Sequence, residues 1–182
     1  MRSRSLRILA LAGVAALAPA LALAAKEPQT YGIANATFPL PGVMAAGQPT
    51  GEQIQLLAEE GYRTVIDLRS PDEPRGFDEP DAAKQSGLAY VNIPVATATL
   101  DQATIDRFLD ALRKAETPVL LHCGSSIRVG GLLYAWLVLE RKEPPAKALE
   151  KAKAAGLRSP ELLEKVRKLV AERQAPPPRP PG

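Results

Sequence analysis

The sequence predicts an α/β domain with a mostly parallel central sheet and helices on both of its faces. Three observations lead there. Short apolar runs alternate with amphipathic stretches along the chain, which is the pattern of βαβ units. The amphipathic stretches carry capping residues at their starts. One apolar run, Pro118 to Leu121, passes through a turn of small residues directly into a long apolar helix.

In chain order, Lys26 to Pro41 reads as an irregular or edge-strand segment with Tyr31, Phe38 and Leu40 as packing residues. A helix follows from Thr50, where Thr50 and Gln53 have the spacing of a capping box. Ile54, Leu57 and Ala58 supply its buried stripe, and Gly61 stops it. Tyr62 to Leu68 reads as a buried strand centred on Val65 and Ile66. The loop from Arg69 to Pro80 is acidic and punctuated by proline, and Asp72, Glu73, Asp78 and Glu79 are expected to be solvated there. A short helix at Asp81 to Gln85 ends at Gly87, and Leu88 to Ile93 is the next strand. Asp101 can cap a helix that buries Ile105, Phe108, Leu109 and Leu112 on one face. After the strand at Pro118 to Leu121 comes a helix from about Gly130 to Arg141, apolar on most sides and therefore central. Amphipathic helices near Pro145 to Ala155 and Pro160 to Arg173 complete the domain. Parallel sheets bind ligands beyond the carboxyl ends of their strands, so the loops after Asp67, Pro94 and His122 are the expected site.

The two ends of the chain differ from this pattern. Arg2, Arg4 and Arg7 precede an apolar run, Ile8 to Ala25, that is interrupted by Pro19 and closed by Ala22-Leu23-Ala24. That is the layout of a cleaved secretory signal peptide over residues 1–25, which implies export, a periplasmic location and no stable membrane span after cleavage. Residues 26–173 form the expected domain, and the proline-rich 174–182 are expected to be disordered. Net charge is +3, but without the three leader arginines basic and acidic residues balance at 20 each, which argues against nucleic acid as a partner.

The chemistry concentrates in Val119 to Gly131. Backbone N–H groups of a small-residue turn at a helix N-terminus form a concavity suited to an anion. Cys123, the only cysteine, begins the turn, and Arg128 lies five residues on with a planar fork matched to phosphate or sulfate. A thiol in that field is expected to be substantially thiolate. Cys123 and Arg128 are thus candidate catalytic residues, with His122, Gly124, Ser125, Ser126 and Ile127 lining the substrate site. His122, the only histidine, is a strand neighbour of Cys123, so its ring is expected to face away and to orient the loop. No cofactor is implied, and one histidine with one cysteine makes no typical metal site.

His122-Cys123-x4-Arg128-Val129-Gly130 occurs together with Ala46-Gly47-Gln48-Pro49-Thr50, Thr64-Val65-Ile66-Asp67-Leu68-Arg69 and Gly87-Leu88-x-Tyr90-x-x-Ile93-Pro94-Val95. In these motifs the chain resembles the bacterial beta-lactamase hydrolase-like phosphatase domain family, related to the dual-specificity and tyrosine phosphatases. The resemblance runs from about Tyr31 to Val138. It implies a cysteine-phosphatase-like fold and an enzyme in which Cys123 attacks a phosphate ester, a phosphocysteine forms, and an aspartate after the Ile-Pro-Val strand protonates the leaving oxygen. Asp101 is the nearest candidate for that acid, though its position also makes it a helix cap. Two departures from the family leave other readings open: four residues, not the usual five, separate Cys123 from Arg128, and Ser126 stands where the family loop has glycine. The short loop also suits a rhodanese-like sulfurtransferase with a persulfide on Cys123, and a catalytically inactive anion-binding module is the third reading. Under each, the partner is a phosphorylated or other oxyanion ligand.

Overall fold

The computed structural model describes residues 29–175. The expected signal peptide, 1–25, and the proline-rich stretch from 176 onward lie outside the described residues. Its elements are β1 (Thr37–Leu40), β2 (Val43–Ala46), α1 (Gly51–Glu59), β3 (Thr64–Asp67), α2 (Glu79–Gln85), β4 (Ala89–Asn92), α3 (Gln102–Lys114), β5 (Val119–His122), α4 (Ile127–Leu139), α5 (Pro145–Ala154) and α6 (Pro160–Gln174).

The five strands lie in the order β1-β2-β5-β3-β4, parallel except for the β1–β2 pair. The predicted mostly parallel α/β architecture is therefore the observed one. Alternation along each strand sends side chains to two separate apolar layers. Ile66, Val119 and Leu121 join residues of α3, α4, α5 and α6, whereas Met44, Val65 and Leu120 join residues of α1 and α2. Among the described residues, no helix is long and apolar enough to cross a membrane.

The local helix signals operate as their chemistry requires. Thr50 and Gln53 exchange both hydrogen bonds of the capping box, 3.2 and 2.9 Å long. Asp78 and Ser159 cap α2 and α6 with their side chains, accepting from Asp81 N and Leu162 N. The strand β2, in contrast, has no signal of its own. Val-Met-Ala-Ala between Gly42 and Gly47 has neither alternation nor β-branched enrichment, yet all four residues are buried between β1 and β5. Helix α4 begins at Ile127, three residues before the predicted start, and so places Arg128 on its first turn. Gly130 brings α4 against α5: a Cβ there would stand 2.5 Å from Leu157 N and 2.6 Å from Ala152 O.

Candidate functional site

Strand β5 lies between β2 and β3, with His122 in register with Ala46 on one side and Asp67 on the other. Past it, the loop from Cys123 to Ser126 is held by the backbone of the neighbouring loop. Cys123 N donates to Ala46 O, and Gln48 N donates to Gly124 O, both at 3.3 Å. The amide N–H groups of Gly124, Ser125, Ile127 and Arg128 are hydrogen-bonded to no backbone carbonyl among the described residues. Ser126 sits in the left-handed region at φ 65°, a conformation that costs a residue with a Cβ roughly 1–2 kcal/mol. Two contacts offset that cost. Its buried hydroxyl donates to Ala155 O at 2.8 Å, and Gly156, at φ +106°, leaves the room beside Ser126 that a Cβ would fill.

Arg128 lies at the mouth of this loop. Its Nη1 donates to Leu68 O (3.4 Å) and Val95 O (3.2 Å), which ties together the ends of β3, β4 and β5. Glu73 accepts from both terminal nitrogens, Oε1 from Nη1 at 2.5 Å and Oε2 from Nη2 at 2.7 Å. The Arg128 hydrogen bonds, helped by Ser70 N–H and opposed by partial burial, hold the Glu73 carboxyl down at about 2. Arg128 is in turn raised above the ordinary guanidinium value, first by Glu73, and Cys123 lies close enough to contribute.

A second polar group lies across β5, on the α1 and α2 side. Asp67, Glu79 and His122 are wholly buried, and one ligand-type atom of each lies within 4.8 Å of the others. His122 Nε2 is 2.7 Å from Glu79 Oε1 and 3.9 Å from Asp67 Oδ1. Asp67 Oδ2 accepts from Arg75 Nη2 (2.8 Å), Arg75 Nε (3.2 Å) and the Tyr90 hydroxyl (2.8 Å), and Oδ1 accepts from Arg69 N (2.8 Å). Burial, then the Asp67 charge, push the Tyr90 phenol well above its usual range. Glu79 Oε2 accepts from Gln48 Nε2 at 3.0 Å. By residue type these three groups are the described residues that could ligate a metal ion. Both Asp67 oxygens and Glu79 Oε2 accept hydrogen bonds, and Arg75 supplies compensating charge to the buried carboxylates, whereas Glu79 Oε1 and both ring nitrogens of His122 are buried without a hydrogen-bond partner among the described residues.

Residues 41–168 match the family described as DSP-PTPase phosphatase fused to NAD+ kinase. The chain belongs to that family. Beta-lactamase hydrolase-like proteins of Xylella fastidiosa and Agrobacterium fabrum are similar to it as well. The first is 37% identical over 94 residues, half of this chain and 22% of that protein. The second is 33% identical over 87 residues, 46% of this chain and 20% of that protein. The match thus spans only about a fifth of these curated relatives. Among solved structures, the DUF442 protein of Shewanella putrefaciens CN-32 superposes with a TM-score of 0.66 at 23% identity, over 78% of this chain and 94% of that one. The Pseudomonas aeruginosa protein TpbA gives 0.61 at 20% identity, over 76% and 84%. Both show the fold.

Within this DSP-PTPase family fold, the expectation of a cysteine-dependent hydrolase is corrected. Cys123 is 1% exposed and packs in the apolar layer with Val129 and Leu121. The cluster of titratable groups in the fold, Asp67, Glu79 and His122, lies on the opposite side of β5 and does not include it. The thiol nucleophile and the phosphocysteine step are therefore withdrawn. Asp101 is exposed and accepts from Thr104 N at 2.8 Å as the cap of α3, and those Thr104 contacts lower its pKa. Gly124, Ser125, Ser126, Ile127 and Arg128 are brought together as one loop, while His122 points away to Glu79. Glu79, expected in a solvated loop, is 0% exposed at the start of α2. Asp67 engages the Arg69 backbone and pairs by charge with Arg75. Gln48 and Glu73 are engaged by partners 31 and 55 residues away, and although Gln48 falls in one of the resemblance motifs, nothing local to either residue points to those partners.

Proposed function

We propose that this domain is a catalytically inactive oxyanion-binding module built on the phosphatase fold, taking a phosphorylated or similar oxyanion ligand. The observation that carries the reading is the fixed Arg128 beside a loop with unpartnered amide N–H groups. Such a nest, at the start of a helix and next to a guanidinium, attracts an anion by dipole and charge together. Glu73 does not exhaust the fork of five donors on Arg128. What argues for binding without turnover is the supply of reacting groups: the thiol is 1% exposed, and Glu73 is held ionised by its ion pair. The leader-like residues 1–25 support a periplasmic site of action.

Calorimetric titration with inorganic phosphate and tungstate tests this. Binding is expected in the wild-type protein, with a loss of at least about tenfold in Arg128→Ala. The same protein is expected to turn over neither an aryl phosphate nor thiosulfate with cyanide. Turnover that disappears in Cys123→Ser would overturn the reading.

A further inference from the structure

From Glu79 of the buried cluster a line of hydrogen bonds and ion pairs runs to Arg128 beside the anion loop. His122 meets Glu79 at 2.7 Å, and the other oxygen of Glu79 accepts from Gln48 Nε2 at 3.0 Å. The Gln48 side-chain oxygen accepts from Arg69 Nη1. Arg69 Nε reaches Glu73 Oε2 at 3.5 Å, and Glu73 holds Arg128. Gln48 also donates its backbone N–H to Gly124 O in the anion loop itself.

From this line we infer that Gln48 and Arg69 are positioning residues for anion binding, coupling the buried His122–Glu79 pair to the orientation of Arg128. The inference rests on the proposed oxyanion-binding reading and adds to it the residues that set the affinity.

The chemistry of each link is specific. Gln48 donates to a carboxylate and accepts from a guanidinium at once, which its amide does with two separate atoms at the end of a long side chain. A glutamate there would set a third carboxylate against Glu79, and an apolar residue would deprive both neighbours of one partner. Arg69 is 4% exposed and spreads its fork over Gln48, Glu73 and the Pro74 carbonyl, which a lysine ammonium cannot reproduce. Glu73, about a third exposed, depends on Arg69 and on Ser70 N–H (2.8 Å) to keep its carboxylate plane facing Arg128. Loosening the inner links therefore frees Arg128 to swing without any contact of its own being deleted.

Two readouts test the coupling in the full protein. The first is tungstate affinity by calorimetry in Gln48→Met, Arg69→Lys, Glu73→Gln and the Gln48→Met/Glu73→Gln double variant. Each single variant is expected to lose roughly five- to twentyfold, as for a lost hydrogen bond to a charged group. The double variant is expected to bind no worse than Glu73→Gln alone, because the effect of Gln48 passes through Glu73. Additive losses would overturn the relay. The second readout needs no ligand: the Glu73 carboxyl carbon followed by NMR. At pH 4 the wild type is expected to remain a carboxylate and Gln48→Met or Arg69→Lys to be partly protonated, whereas an unchanged titration would overturn the inference. If the wild type bound neither phosphate nor tungstate, the oxyanion reading would fall, while the Glu73 titration would still decide whether the relay exists.

Discussion

Two adjacent residues at the end of β5 meet opposite surroundings. Cys123 enters the apolar layer under α3 to α6, and His122 enters a set of buried charges under α1 and α2. On the apolar side the thiol is packed among hydrocarbon, with the Arg128 guanidinium as its polar neighbour. On the polar side Asp67 is held by Arg75 and Tyr90, and Glu79 by Gln48 and the charge of Arg75. The comparison teaches that side-chain parity along one strand separates the residue that looks reactive from the groups that carry the charge. The loop that follows them is tied on both sides, its backbone to Ala46 and Gln48 and the Ser126 hydroxyl to Ala155 O.

The comparison breaks first on the polar side. Asp67→Ala removes the buried partner of a partly buried guanidinium, a phenol and an amide, and is expected to cost about 3–5 kcal/mol in urea unfolding. A loss below about 1 kcal/mol would show that the charges are solvated, contrary to their burial. On the apolar side, Gly130→Ala drives a methyl into the Leu157 and Ala152 backbone, and an expected loss of about 1–3 kcal/mol can be read from the shift of the thermal midpoint.

The third test uses pH at the edge where the two sides meet. The folded Glu73 carboxyl titrates near 2, below its ordinary 4.5, so its stabilisation is fully present above about pH 4.5 and is lost as pH falls through 2. With its partial exposure discounted, that is about 1–2 kcal/mol. Glu73→Gln is expected to flatten this part of the stability profile, and an unchanged slope would remove the ion pair from the account. The smallest effect lies away from both sides: Thr50→Ala, at the capping box of α1, is expected to cost about 1 kcal/mol. That value supplies the baseline for a purely local contact.

Much of the fold was legible in the sequence because its signals are local. Thr50 with Gln53 and Asp101 with Thr104 mark helix starts within three residues, and the apolar stripes of α3 and α4 identify their buried faces. Strand β2 was not legible, since four small or medium apolar residues take their state from the strands on either side. At the site, the loop from Gly124 to Arg128 was legible from its small residues and helix start. The burial of Glu79 and the pairing of Glu73 were not, because both residues stand in a proline-rich acidic stretch that resembles any solvated loop.

By itself, then, the sequence determined the alternation of strands and helices, the helix caps and a small-residue turn at the end of β5, all set by interactions within a few residues. The tertiary structure decided that Arg128 would be held by a carboxylate 55 residues away, that Cys123 would be buried, and that His122 would join Asp67 and Glu79. The physical reason is distance. Charges pair with whatever the strand order brings within about 3 Å, and placing β5 between β2 and β3 selects partners that no spacing along the chain encodes.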